Sequence, residues 1–137
     1  MADFVPTHRL THDAALKMIA AGIAKAIEID RPVSFAVVDQ SCEMIAFLKM
    51  EGARLFSGRA TIKKAITSAS QRVPTGYASK EDVLSLQIRM DGDFTNVLGG
   101  FPIVVQGQVI GAVAAGGASQ DEDVIIARAA LAALGDN

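Results

Sequence analysis

Asp39, Lys64 and Arg72 are the residues whose types and placing most readily support chemistry. Asp39 closes an apolar, β-branched run, Lys64 falls in the next helix-forming stretch, and Arg72 stands where that stretch stops at Val73-Pro74-Thr75-Gly76. A carboxylate and an ammonium at one rim of a sheet can orient a polar ligand, or exchange protons with it where burial shifts their pKa values. The same two residues serve equally as a plain salt bridge fixing helix to sheet. Arg72 can fork onto a ligand carboxylate with the Thr75 hydroxyl beside it, or simply complement the negative end of a helix.

Two glycine pairs bracket an apolar hairpin, in Gly99-Gly100-Phe101-Pro102 and in Gly116-Gly117. Gly100 allows close approach of the backbone to a ligand, and Phe101 offers an apolar wall. Gly116-Gly117 precede a capped helix whose N-terminus favours negative groups, although turn geometry alone accounts for many such pairs. Asp39, Lys64, Arg72, Thr75, Gly100 and Phe101 are therefore expected to converge on one ligand pocket. His8 and His12 are the chain's two imidazoles, each a candidate axial ligand for haem iron, with simple solvent exposure as the alternative. Cys42 sits in a turn, as a free thiol or a thiolate ligand, and Met18, Met44, Met50 and Met90 read as core filler. No phosphate loop, nucleophile elbow or HExxH pattern occurs.

The elements that must position these groups follow from periodicity. A chain of 137 residues is one domain by size, with residues 1–10 an N-terminal arm around Pro6. Thr11 is an N-cap, and Leu16, Ile19, Ile23 and Ile27 mark an apolar stripe on a helix that ends before Asp30-Arg31-Pro32. Residues 33–38 and 44–50 read as a hairpin about the polar turn Gln40-Ser41-Cys42-Glu43. A second helix spans residues 57–71, with Ile62, Ala65, Ile66 and Ala69 inward and Arg59 and Lys63 outward. Ser79 begins a short third helix, residues 101–105 and 109–115 form the clearest hairpin, and Ser119 with Glu122 has capping-box spacing before a last helix. The expected architecture is α+β: an antiparallel sheet of about five strands flanked by helices, profilin-like.

Composition limits the partners. A formal net charge of −2 argues against nucleic acid, which selects for a basic excess. One cysteine excludes an internal disulfide and a multi-cysteine zinc site. No apolar run approaches the ~20 residues that span a bilayer, and Met1–Pro6 lacks the basic-then-apolar pattern of a secretory signal, so the cytoplasm is expected. Apolar residues make up 50% of the chain, mostly small aliphatic ones, which fits close helix–sheet packing and a buried subunit interface.

Several segments, in order, resemble one family. They are Leu10-Thr11-His12-Asp13-Ala14-Ala15, Pro32 to Asp39, Leu48-Lys49-Met50-Glu51-Gly52-Ala53, Lys64-Ala65 and Pro74-Thr75-Gly76. Gly99 to Val104, Gly111-Ala112-Val113, Gly116-Gly117, Asp123 and Ala127-Arg128-Ala129 complete the series. Together they are similar to the GlcG/HbpS-like family, a haem-binding or haem-degrading-protein-like domain also seen at the C-terminus of some corrinoid adenosyltransferases. Two departures stand out: Gln40-Ser41-Cys42-Glu43 replaces a small, glycine-rich turn, and Lys49-Met50-Glu51-Gly52 replaces Arg-Met-Asp-Gly. The resemblance implies a homo-oligomeric, small-molecule-binding accessory protein of a catabolic pathway, with haem or a related tetrapyrrole as ligand. The alternative is an enzyme, an isomerase or lyase moving a proton on a small organic carboxylate, with Asp39, Lys64 and Arg72 as its working groups.

Overall fold

The computed structural model describes residues 1–135. The elements run α1 (His12–Glu28), β1 (Ser34–Asp39), β2 (Met44–Lys49), α2 (Ser57–Gln71), α3 (Lys80–Arg89), β3 (Gly100–Val105), β4 (Gln108–Gly116) and α4 (Gln120–Leu131). The strands form one antiparallel sheet in the order β2-β1-β4-β3, so the fold is α+β with four strands instead of about five. Residues 90–99 add no strand. Asp91 and Gly92 take left-handed φ values of 56° and 81°, Phe94 is buried with its ring edge-to-face on Tyr77, and Thr95 N–H ties the segment to α2 by donating to Thr67 Oγ1 at 3.0 Å.

Alternation along the central strands gives the sheet two covered faces. Phe35 and Val37 of β1 join Val113 and Ala115 of β4 and Ile103 of β3 beneath α1 and α4. Ala36, Val38, Ala112 and Ala114 face Ala65 and Ala69 of α2. The second interface is built from alanine because α2 lies almost on the sheet. A Cβ at Gly100 would come within 2.6 Å of the Lys64 carbonyl oxygen, and one at Gly116 would meet Thr61 Oγ1.

The N-terminal helix is in a different phase from the stripe expected of it. Its buried face is Ala15, Met18, Ile19, Gly22 and Ala26, while Leu16 and Ile27 are exposed. Gly22 sets that phase, since any side chain there would run into the Phe35 ring. The Thr11 N-cap does form, its Oγ1 accepting from Ala14 N–H at 3.1 Å, as does the Ser119/Glu122 capping box of α4. The β3–β4 hairpin turns through Gln106 and Gly107, both at positive φ, which matches the twist of the strands. Among the described residues no helix is long and apolar enough to cross a membrane.

Candidate functional site

Leu10, 9% exposed, anchors the N-terminal arm in the core. With Leu10 seated and Thr11 opening α1, residues 7–10 lie across the end of the sheet. There the single hydroxyl proton of Thr7 is within reach of Gln108 Oε1 at 3.4 Å and of Gln40 Oε1 at 3.5 Å, and Gln108 Nε2 donates to the Pro6 carbonyl at 3.4 Å. These contacts tether the arm to both the β1–β2 turn and the β3–β4 hairpin.

A hollow opens on each side of the arm. The larger, about 440 Å³, runs along the edge strand β3 and the C-terminal end of α4; Ile103, Val105, Ile110, Leu131 and Leu134 supply apolar walls, while His8 and Arg9 supply polar groups. The smaller, about 390 Å³, is lined by Thr7, Asp39, Gln40 and Ser41. His8, Arg9, Leu10 and Ile110 line both. His12 lines neither; it stands on the exposed start of α1, its Nε2 3.6 Å from Asp13 Oδ1. Among the described residues no group of three or more His, Cys, Asp and Glu side chains is placed to hold a metal ion.

The expected convergence of Asp39, Lys64 and Arg72 is not formed. Lys64 is 2% exposed; its Nζ donates to Asp123 Oδ2 and to the Ala115 carbonyl, both at 2.9 Å. Ala115 pairs with Phe35 at the start of β1, whereas Asp39 pairs with Gly111 four residues further along, a separation of roughly 13 Å at the strand rise. Arg72 lies eight residues beyond Lys64, roughly 12 Å along a helix. It caps α2 in the left-handed region at φ 63° and is exposed. Asp39 is committed to its own turn, Oδ1 accepting from Ser41 N–H at 2.8 Å and Glu43 N–H at 3.1 Å.

Lys64, Thr75 and Gly100 do meet, in a packed seam. Gly100 N–H donates to Thr75 Oγ1 at 3.1 Å and Thr75 N–H returns a bond to the Gly100 carbonyl at 3.0 Å. A Cβ at Gly99 or Gly116 would stand 3.0 or 3.1 Å from the Lys64 ammonium. The glycine pairs thus make room for a buried lysine and a close helix; Gly100 is not an open approach for a ligand. Burial pushes the Lys64 pKa below its ordinary value, against the pull of Asp123 toward the charged form. Phe101 is half-buried beneath the Arg128 guanidinium, 5.3 Å from its ring centre. Cys42 is half-buried, its Sγ 3.7 Å from the Ile66 carbonyl, and burial together with Asp39, Asp93 and Glu43 raises its thiol pKa.

Sequence reasoning passed over Arg9 and the apolar residues around it. The available signal was the His8-Arg9-Leu10 triplet, two polar groups joined to a residue that anchors them. Asp123 was noticed only as part of a motif, because its pairing with Lys64 spans 59 residues.

Fold and groove together define a small α+β domain whose N-terminal arm walls a half-apolar cavity. The chain belongs to the HbpS-like family: the family model described as "Haem degrading protein HbpS-like" matches residues 10–132. An uncharacterized 15.0 kDa protein from the dhaT-dhaS intergenic region of Citrobacter freundii is 32% identical over 89% of both chains. Protein GlcG of Escherichia coli K12 is likewise 32% identical, over 76% of this chain and 78% of its own length. Among solved structures, a double mutant of Streptomyces reticuli HbpS superimposes with a TM-score of 0.86 at 29% identity, covering 98% of this chain and 93% of that one. A PduOC:heme complex gives a TM-score of 0.87 over 95% and 98% of the two chains; at 24% identity it speaks for the shared fold.

Proposed function

We propose that this protein is a small-molecule-binding accessory protein whose ligand occupies the arm-walled groove, with haem or a related tetrapyrrole as the leading candidate. One observation carries the reading: His8 and Arg9 border a cavity whose remaining walls include Ile103, Val105, Ile110, Leu131 and Leu134. An imidazole beside an apolar floor suits a flat, largely apolar macrocycle whose iron accepts a nitrogen ligand. Bound haem would supply an iron centre, for which His8 would offer a ring nitrogen, while the leucine and isoleucine side chains would exclude water. The family description supports the same ligand class.

Between the two histidines the groove favours His8, because His12 lies outside it. A proton-transfer site built from Asp39, Lys64 and Arg72 finds no support, since the three groups are dispersed. The helices on both faces of the sheet support a profilin-like description of the fold, and the exposed side of α1 supports self-association. Haemin titrated into the protein and followed by absorbance is expected to give a saturable Soret shift at one haemin per chain. His8→Ala should abolish the low-spin spectrum and His12→Ala should leave it unchanged. Absence of a saturable shift, or loss on His12→Ala alone, would overturn the assignment.

A further inference from the structure

The two hollows beside the arm share His8, Arg9, Leu10 and Ile110, and they differ in chemistry. On the β3 and α4 side, beyond the arm, stand apolar side chains such as Ile103, Val105 and Leu131. On the β1–β2 turn side stand Thr7, Asp39, Gln40 and Ser41. We infer that they form one bipartite site, an apolar limb and a polar limb, in which Arg9 anchors a carboxylate of the ligand and Asp39 limits how much further negative charge the polar limb accepts. The inference rests on the groove being the ligand site, and it specifies the ligand class: a rigid apolar body with an acidic end.

The roles follow from the side chains. Arg9 brings a planar fork that matches a carboxylate, at the junction of the two limbs. Thr7, Gln40 and Ser41 add hydroxyl and amide groups that can hydrogen-bond an acid without charge. Asp39 cannot swing away as a surface carboxylate would, because Oδ1 is held by the Ser41 and Glu43 N–H groups at 2.8 and 3.1 Å. A fixed carboxylate in the same hollow as Arg9 admits one acid group against the guanidinium and disfavours a second beside itself. A diacid should therefore bind against a standing repulsion that its ester does not feel.

Haemin, which has two carboxylates, and haemin dimethyl ester, which has none, separate these effects in absorbance titrations of the full chain. Arg9→Gln should weaken haemin roughly fivefold, the upper end for a partly exposed ion pair, and change the ester less than twofold. Asp39→Asn keeps an oxygen for the two turn N–H groups and should tighten haemin severalfold, again without effect on the ester. Circular dichroism before titration confirms that each variant is folded. Equal responses of acid and ester to Arg9→Gln, or weaker haemin binding by Asp39→Asn, would overturn the bipartite site and leave the groove reading standing. Failure of wild-type protein to bind either probe saturably would sink both.

Discussion

Lys64 carries a charge into the interior, and its two acceptors fix where it goes. Its ammonium joins α2 to α4 through Asp123 and to β4 through the Ala115 carbonyl, while Asp123 Oδ1 accepts from Ala118 N–H at 3.0 Å. The pair is satisfied, yet desolvation still dominates for the lysine and lowers its pKa from 10.5. Removing one partner strands the other, so Lys64→Met should cost about 3–5 kcal/mol in urea unfolding. Lys64→Met combined with Asp123→Leu should recover much of that loss, because two apolar side chains can occupy the seam without desolvated charge. The pH dependence has a definite sign. With the folded pKa below the unfolded value, the unfolded chain binds more protons across the interval between them, so stability rises with pH up to about 10.5. Wild type should gain stability relative to the double variant over that alkaline limb; a flat difference would contradict a depressed Lys64. The sequence marks Lys64 as a helix-borne cation between a strand and a glycine hairpin, which is why it stands out there. Its partner is invisible at that level, because only the β1–β4 pairing brings α4 to the same end of the sheet.

Helix α2 is the element that explains the glycines. It packs alanine to alanine against β1 and β4 and brings its own backbone against β3, so Gly100 is required by proximity rather than by a turn. Gly100→Ala would place a methyl group 2.6 Å from the Lys64 carbonyl oxygen and 2.9 Å from Thr75 Cγ2. Neither can retreat, since both belong to buried, hydrogen-bonded segments. A loss of about 1–3 kcal/mol, the usual range for overpacking, is expected in thermal or denaturant unfolding; a neutral result would mean that α2 rides further from the sheet. Element order and most boundaries were legible from local rules. Caps at Thr11 and Ser119, the Pro74 stop and the Gln106-Gly107 turn act within a few residues, and so do their sequence signals. The phase of α1 was less legible. Leu16, Ile23 and Ile27 make the most visible apolar stripe, but small residues decide which side meets the sheet, and Gly22 beside Phe35 is a tertiary fact. The candidate site is hidden in the same way: its walls come from the arm, an edge strand, the end of α4 and the β1–β2 turn, and among them only His8 and Asp39 have side-chain chemistry that a local motif marks.

At the scale of the whole molecule, that phase leaves an apolar surface with no cover among the described residues. Leu16 and Ile27 are 59% and 67% exposed, with Ala20 and Ala24 exposed and Ile23 half-buried between them on the same side of α1. The alanine-rich end of α4 is partly used internally: Ala130, like Ala127 one turn before it, is fully buried in the core. Self-association is therefore expected to run through α1. Positions 16, 20, 23 and 27 step by four, three and four residues, the spacing of a seam between paired helices. Light scattering on wild-type protein at micromolar concentration should give a mass of at least twice 14.3 kDa. Leu16→Lys with Ile27→Lys should return the single-chain mass, because charges on a buried seam are costly to desolvate. Neither residue lines the arm-walled groove, so haemin binding by the variant separates assembly from ligand capture. Retained binding with lost assembly would place the whole ligand site within one chain. Loss of both would mean that a neighbouring copy completes it, and a wild-type mass of 14.3 kDa would refute the α1 seam itself.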